Sequence, residues 1–416
     1  MNDGRGRRGR VRSGRRGAAA LLAGLLLLAG CAAPGDDVPA RTVDRAVRAT
    51  LDRRADAVLH HDPDAYLATT DPGATALRTA QRRELGNLAD VPLSAWEYRL
   101  VRVTARDTDR ARADVELRYR ITGYDAAPVT ADRVLELRRD RADGRWYVTG
   151  DRPGADGVQQ LWQQGAVRVV RGTHSLVLGV GRTDRELRAI ARTTDRAVPA
   201  VSGARPERWA GRVVVLVPRT ATDLAALLGS SADYRGIAAV TTGRTGEPGR
   251  NPADRVIVNP EAYDTLGTFG QRIVLTHETT HVATRADTSA ATPVWLSEGF
   301  ADWAAYRGEG RAPDRIAPEL AAAVRRGELP AALPTDADFG FAGDPERLAR
   351  AYEGGWAACR LIADHWGEPK LLALYRAVGA RPERDGAVEQ ALGEVLGTTP
   401  ARFTALWRTW LRTHLG

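Results

Sequence analysis

The sequence predicts an α+β fold: helices and an antiparallel sheet come first, followed by a small sheet and a mostly helical half. Three observations predict it. Apolar residues recur at helical spacing up to about residue 88, alternate with charged residues from Leu93 onward, and return to helical spacing after Asn259. Helices followed by a run of half-buried strands are typical of α+β domains, and 416 residues are enough for two or three domains.

The first thirty residues have the composition of a targeting segment. Arginines precede an apolar run from Ala18 to Ala29, which is too short to span a membrane. The run ends in Leu28-Ala29-Gly30-Cys31, which resembles the bacterial lipobox and implies cleavage before Cys31 and acylation of that cysteine. A lipid on Cys31 predicts a chain anchored to the extracytoplasmic face of the cell membrane, with 31–41 as a tether. The alternatives are an ordinary secretory signal or a translation start assigned too far upstream.

Charge and cysteine content exclude two further classes of protein. The whole chain carries a net charge of +8, but residues 1–30 hold seven Arg and one Asp, so the mature chain is near +2. A net charge this small gives no sign of a basic surface for nucleic acid, and no nucleic-acid partner is expected. Once Cys31 is acylated, only Cys359 remains, so no internal disulfide is available. Cys359 falls in an apolar helical pattern, which predicts a small buried residue.

Residues 42–152 form the first predicted domain. A helix is indicated by Val43, Val47, Leu51, Ala55 and Val58, and further helices by 63–70 and 74–88. Strands follow, and Arg141-Ala142-Asp143-Gly144 indicates a hairpin turn into the last of them. This order of elements resembles the cone-shaped, nuclear transport factor 2-like domains. No catalytic set is present in it, so the domain is predicted to be a spacer or binding module.

Turn-forming residues at 151–165 mark the boundary to a second predicted domain, 165–416. Short apolar runs predict buried strands at 175–180, 212–218, 236–242 and 255–258. Helical patterns cover 184–200, 259–285, 293–306, 316–327, 345–366, 368–378, 386–396 and 400–414. Trp407 and Trp410 lie on one face of the last helix and are predicted to close the core.

The stretch His277-Glu278-Thr279-Thr280-His281 carries the clearest chemistry in the chain. On a helix, residues four apart lie on one face, so both imidazoles can bind one metal, usually Zn²⁺. Glu278 leaves the helix about 100° from His277 and is suited to act on a water molecule rather than to bind the metal. The alternative is a buried helix whose histidines merely hydrogen-bond to their neighbours.

A catalytic zinc site needs a third protein ligand, and two carboxylates are candidates. Asp287 stands where the H-E-x-x-H-x-x-G-x-x-H pattern has its last histidine, but Thr284 replaces the glycine of that pattern. Glu298 lies in Leu296-Ser297-Glu298-Gly299-Phe300-Ala301-Asp302, on a helix expected to begin with Thr292 as N-cap and Pro293 as its first residue. Asp302 lies on the same face and could accept the free N–H of His277. Glu298 is preferred.

This pattern resembles the gluzincin metallopeptidases, which include the aminopeptidase N type enzymes. The resemblance covers about residues 165–416 and extends to Tyr352-Glu353-Gly354-Gly355, which is similar to the Y-x-x-G context of an oxyanion-binding tyrosine in that branch. It implies that the hydroxyl of Tyr352 donates a hydrogen bond to the tetrahedral intermediate of the reaction. A tyrosine with a purely structural role fits the sequence equally well. A further alternative is that His365 donates this hydrogen bond in place of Tyr352. The family also implies an edge strand that pairs with the substrate, and the candidate is Gly236, Ile237, Ala238 and Ala239, unless that strand is paired on both sides.

The chain departs from the aminopeptidases in two respects. Sixteen residues separate His281 from Glu298, fewer than is usual there, and the Gly-Ala-Met-Glu-Asn signature is missing. The expected activity is therefore hydrolysis of peptide bonds in a peptide or protein substrate, without aminopeptidase specificity. The alternatives are a non-catalytic lipoprotein in which zinc only stabilises the fold of a binding or assembly module, and a degenerate peptidase that retains the metal.

Overall fold

The computed structural model describes residues 40–155, 157–206, 209–230, 234, 236–242, 254–340 and 344–416. The predicted signal segment and Cys31 lie outside the described residues. The α+β prediction is confirmed: the described part contains a four-stranded antiparallel sheet and a five-stranded mixed sheet, and most of the later residues are helical. These residues belong to one compact unit.

The first sheet is an antiparallel meander preceded by three helices. The helices are α1 (Ala40–Leu59), α2 (Pro63–Leu67) and α3 (Thr75–Leu88), and the strands are β1 (Leu93–Ala105), β2 (Arg110–Ile121), β3 (Val129–Arg139) and β4 (Trp146–Pro153). The strands pair in the order β1-β2-β3-β4. The apolar stripe of α1 is buried and α1 packs on β1. Inward residues of β2 alternate with partly exposed charged ones, as expected for a sheet with one buried face.

The second sheet is mixed and has five strands. It contains β5 (Val167–Arg171), β6 (Ser175–Val180), β7 (Val213–Val217), β8 (Ala239–Thr241) and β9 (Arg255–Val258) in the order β5-β6-β7-β9-β8, with β5 at one edge and β8 at the other. Strands β6, β7 and β9 run parallel, while β5 and β8 are antiparallel to their neighbours. The apolar runs of β6 and β7 are buried, as is typical of central parallel strands.

Helices surround this sheet and form the rest of the chain. Those between the strands are α4 (Leu161–Gln164), α5 (Asp184–Ala204) and α6 (Ala221–Leu227). After β9 come α7 (Pro260–Tyr263), α8 (Thr268–Thr284), α9 (Val294–Tyr306), α10 (Pro313–Ile316), α11 (Pro318–Arg325), α12 (Pro345–Trp366), α13 (Glu368–Gly379), α14 (Ala387–Ala391) and α15 (Pro400–Leu415). The helical region predicted from 259 to 285 contains two helices, because α7 ends at Tyr263 and Gly267 caps a new helix.

Two apolar clusters hold α8 and α9 in position. Leu275 of α8 packs with Leu187 and Ile190 of α5 against the second sheet. The other cluster joins α9, α12, α13 and α15, and it includes Trp407 and Trp410, which are 1% and 7% exposed and close the core as predicted. Cys359 is fully buried in the same cluster. Among the described helices, none combines the length and apolarity needed to cross a membrane.

The start of α9 differs from the prediction. Pro293 is the N-cap rather than the first helical residue, and its extended backbone (φ −66°, ψ 147°) precedes Val294. Thr292 does not cap the helix, because its Oγ1 accepts the N–H of Ser289 at 3.1 Å. The first amide of α9, on Val294, donates instead to Oδ1 of Asp336 at 3.0 Å. A residue distant in sequence therefore replaces the local cap that the sequence predicts.

Candidate metal centre

Helix α8 presents His277 and His281 one turn apart, toward the same point. Their Nε2 atoms are 3.0 Å apart and their rings cross at 79°. The helix contains several threonines, which are poor helix formers, but three of these hydroxyls bond back to the carbonyl four residues earlier. They are Thr276, Thr280 and Thr284, with distances of 2.8–2.9 Å. Local hydrogen bonds thus satisfy three of the four buried threonine hydroxyls of this helix, and the fourth, on Thr279, has no hydrogen-bond partner among the described residues.

Glu298 of α9 completes a three-residue cluster with the two histidines. Its Oε2 lies 3.2 Å from Nε2 of His277 and 3.4 Å from Nε2 of His281. Ligands of one tetrahedral zinc, each about 2.0–2.2 Å from the ion, lie about 3.3–3.6 Å from one another. Among the described residues, these three form the only group of His, Cys, Asp and Glu side chains close enough to hold a metal ion. Two imidazoles and a carboxylate fit Zn²⁺, and they also suit related divalent metals.

Asp287, the alternative third ligand, is held elsewhere. Its Oδ2 accepts a hydrogen bond from Nη2 of Arg205 at 2.8 Å and lies 3.4 Å from Nε of Arg376. The side chain of Arg205 is 6% exposed, so this ion pair is largely shielded from solvent. Asp287 therefore joins α5 to α13 and is not part of the histidine cluster, whereas Glu298 is.

Asp302 lies where it can orient His277. It is one helical turn after Glu298 on α9, and its Oδ1 is 2.8 Å from Nδ1 of His277. A proton on Nδ1 that is donated to this carboxylate leaves Nε2 free to bind a metal, which is the usual role of a carboxylate behind a histidine ligand. The sequence prediction of this pair rested on the four-residue spacing of Glu298 and Asp302, and the two side chains do lie beside the same histidine.

The charges of the cluster shift the pKa values of its members in opposite directions. Burial alone lowers the pKa of His277, but the charge of Asp302, the hydrogen bonds that Asp302 and Glu298 accept from the ring, and the charge of Glu278 raise it well above its usual value. Burial alone raises the pKa of Glu298, but the charges of His281 and His277 and their hydrogen bonds lower it well below its usual range. The surroundings therefore favour positive charge between these residues, whether a proton or a metal cation supplies it.

Helices α9 and α12 cross so closely that only glycine fits at the contact. A Cβ on Gly299 would lie 2.3 Å from the carbonyl oxygen of Gly355, and a Cβ on Gly355 would lie 2.6 Å from the carbonyl oxygen of Trp295. This contact is between backbones and cannot be relieved by rotating a side chain. It brings Tyr352, one turn before the crossing on α12, to the same cleft as Glu298.

Tyr352 lines the cleft together with the histidines and Glu278. Its ring packs edge-on against Phe339, with centroids 5.1 Å apart. Burial, followed by the charges of Glu298, Asp302 and Glu278, raises the pKa of Tyr352 well above its usual value. The hydroxyl therefore stays protonated at neutral pH and can donate a hydrogen bond. His365, the other candidate donor, is not among the described residues that line the cleft.

Strand β8 lines the same cleft as α12 and is an edge strand in the order of the sheet. The N–H of Asn259 donates to the carbonyl of Ala238, and the N–H of Thr242 donates to the carbonyl of Arg255. Hydrogen-bonded and non-bonded positions alternate in an antiparallel pair, so the backbone groups of Ala239 and Thr241 point away from β9. The prediction of a strand at 236–242 was too long, because Gly236, Ile237 and Ala238 precede the strand. Gly236, Ile237 and Ala239 line the cleft.

Glu278 is buried (7% exposed) and contacts this edge strand. The hydroxyl of Thr241 lies 2.6 Å from Oε2 of Glu278 and 3.1 Å from its backbone oxygen. Sequence reasoning did not identify Thr241. The only signal for it was its position in the strand upstream of the metal helix, which does not reveal where the hydroxyl points.

The cleft has a volume of about 940 Å³, and its lining is partly apolar and partly polar or charged. One wall is largely apolar, formed by Ile316, Pro345, Leu348, Ala349 and Trp356, while Arg285 and Thr288 lie on the α8 side. Glu353 also lines it and was not predicted to take part. Burial raises the pKa of Glu353 to about 7, against the effect of the backbone N–H groups of Leu320 and Glu319, which donate to its carboxylate. Glu353 thus caps α11 at the margin of the cleft.

Comparison with known proteins adds no assignment to this geometry, because neither the protein-family models nor the curated proteins contain a match to the chain.

Proposed function

We propose that this chain is a zinc-dependent peptidase, anchored by a lipid on Cys31 to the extracytoplasmic face of the membrane. The observation that carries the proposal is the convergence of His277, His281 and Glu298 in one cleft, with the carboxylate of Glu278 beside them. The anchor is inferred from the sequence around Cys31, which lies outside the described residues.

The cluster is suited to an open metal site. Zinc, when bound, would act as a Lewis acid on a carbonyl and would lower the pKa of a water molecule from ~15.7 toward ~7. Within the described chain the cluster offers three potential ligands, the number typical of catalytic zinc sites, whereas structural sites have four. Asp302 would keep His277 in the metal-binding tautomer.

The remaining residues have roles that follow from their positions. Glu278 would take a proton from the attacking water and later pass it to the leaving amine. The free edge of β8 would pair with an extended peptide, and Tyr352 would donate to the oxygen of the scissile carbonyl as it gains charge. An extended substrate between β8 and α12 would pass directly over the cluster, which is why a peptide is the preferred substrate class.

Replacing Glu278 with Gln tests the mechanism. The amide retains the shape of the side chain but cannot act as a base, so zinc content should be unchanged and peptide hydrolysis should fall ~10²–10⁴-fold. The measurement is zinc content per chain together with cleavage of a fluorogenic peptide mixture. Glu328→Gln, which alters an exposed carboxylate, is the matched control and should behave like the parent.

Hydrolysis that survives in the Glu278→Gln protein would reject this mechanism. A parent protein that binds zinc through four protein ligands, with no exchangeable water and no cleavage, would support the other candidate. In that case the metal would stabilise the fold of a non-catalytic lipoprotein that acts as a binding or assembly module. The three-ligand cluster inside a large cleft favours the peptidase.

A further inference from the structure

Thr241 makes a contact with Glu278 that the peptidase proposal does not use. Its Oγ1 lies 2.6 Å from Oε2 of Glu278, a short distance for a hydroxyl and a carboxylate. The hydroxyl carries a single proton, and its other possible acceptor, the backbone oxygen of Glu278, is farther away at 3.1 Å. The ionised carboxylate is also the stronger acceptor, so the proton of Thr241 belongs to the bond with Oε2.

The backbone of Thr241 faces the open edge of the sheet, not Glu278. Thr241 is in a non-bonded position of the β8–β9 pair, opposite Val256, so its N–H and C=O point toward the open edge of the sheet. Its side chain points toward α8, where it meets Glu278. One residue therefore contacts the catalytic carboxylate through its hydroxyl and offers its backbone to whatever pairs with the strand.

We infer that Thr241 is a positioning residue that holds Glu278 in register with a peptide bound along β8. This inference rests on the proposed function and deepens it. The Thr241 hydroxyl takes one lone pair of Oε2, so a carboxylate held by this bond can accept the proton of the reaction on Oε1 without losing the bond. A peptide that pairs with the backbone of Thr241 is held at a fixed offset from that oxygen. The substrate class implied is a chain that can bind in extended form across β8.

The consequence is an effect on turnover rather than on metal binding. Thr241 does not contact a metal ligand atom, so its loss should leave the zinc content unchanged. Without the bond to Oε2, Glu278 would populate other rotamers, and fewer molecules would have the base in position. A hydrogen bond to a charged group corresponds to ~10–100-fold in rate.

The test compares Thr241→Val and Thr241→Ser in the full-length protein. Valine retains the shape of threonine and removes the hydroxyl, whereas serine retains the hydroxyl. We expect kcat per bound zinc to fall ~10–100-fold in the valine variant with KM within about twofold, and serine to restore most of kcat. Thr242→Val is the matched control, because its Oγ1 accepts the N–H of Arg255 at 3.0 Å and does not contact Glu278. That variant should retain kcat.

Three results would overturn the inference. The first is equal kcat in Thr241→Val and Thr242→Val. The second is a valine variant whose lost activity is explained by lost zinc or a lower Tm, which would make Thr241 a structural residue. The third is a serine variant as impaired as the valine one. A parent protein that shows no zinc-dependent cleavage would reject the proposed function and this inference together, whereas a cleaving parent matched by Thr241→Val would reject the inference alone.

Discussion

Among the described residues, Glu298 has ion-pair contacts with the two histidines alone, whereas Asp287 and Asp254 are paired with arginine. Asp287 is paired with Arg205 and lies close to Arg376. Asp254 accepts a hydrogen bond from Nε of Arg285 at 3.2 Å. A carboxylate already neutralised by arginine gains little from a metal ion, whereas Glu298 faces two imidazole nitrogens within 3.4 Å. At the scale of single residues, pairing decides which acid is available as a ligand.

Glu298→Ala should therefore abolish stoichiometric zinc binding, while Asp287→Asn should retain it. The alanine removes one of three ligands, and the loss of affinity should exceed the ~10–100-fold typical of removing a residue that only orients a ligand. Metal content after dialysis against a weak chelator measures both variants. Zinc retained in the Glu298 variant and lost in the Asp287 variant would move the third ligand to Asp287.

The crossing of α9 and α12 is the element-scale feature on which the cleft depends. Gly299 and Gly355 let the two backbones touch, and this closeness places Tyr352 in the cleft that Glu298 and Asp302 also line. Sequence reasoning noted Gly354-Gly355 beside Tyr352 as a motif. It did not identify the packing role of Gly355, because a helix pattern gives no information about which helix lies opposite.

Gly299→Ala should destabilise the protein although alanine is the better helix former. The added Cβ would lie 2.3 Å from a backbone oxygen, so the helices must separate, at a cost of ~1–3 kcal/mol in the free energy of unfolding. Gly86→Ala in α3 is the matched control. Its Cβ would meet nothing within 4 Å, and it should stabilise by ~0.5–1 kcal/mol. Urea unfolding measures both. Equal behaviour of the two variants would contradict a tight α9–α12 contact.

At the scale of the whole molecule, a buried ion pair joins the two sheets. Asp125, between β2 and β3, accepts two hydrogen bonds at 2.7 Å from Arg255 at the start of β9. Their side chains are only 1% and 6% exposed. The preceding residue, Asp254, pairs with Arg285 at the cleft, and burial raises the pKa of Asp254 to about 6 despite that arginine. A run of alternating charges thus extends from the first sheet to Arg285 in the cleft.

Asp125→Ala should reduce the free energy of unfolding by ~3–5 kcal/mol, because it leaves the buried guanidinium of Arg255 without its main partner. Asp64→Ala breaks an exposed pair with Arg82 and should cost no more than ~1 kcal/mol. Denaturant midpoints of the two variants give the comparison. Similar small effects in both would mean that the first sheet contributes little to the stability of the second.

The sequence by itself determined the features that depend on local order. Apolar residues that recur every three to four positions or at every second position, together with short apolar runs, were enough to predict the α+β class. They also predicted the helix carrying His277 and His281 and the strands at 175–180 and 212–218. Spacing along one helix was also enough to pair Glu298 with Asp302. Each of these follows from the fixed geometry of a single helix or strand, which neighbouring elements change little.

Only the tertiary structure decided which elements meet. It brought Glu298 rather than Asp287 to the histidines, put β8 at the sheet edge, capped α9 with Asp336, and directed the hydroxyl of Thr241 to Glu278. The side-chain partners in these contacts are 17 to 42 positions apart in the sequence, and for the third ligand two carboxylates of the same chemistry were candidates. Their pairing depends on how helices and strands pack, and packing is a property of the whole chain that no local pattern encodes.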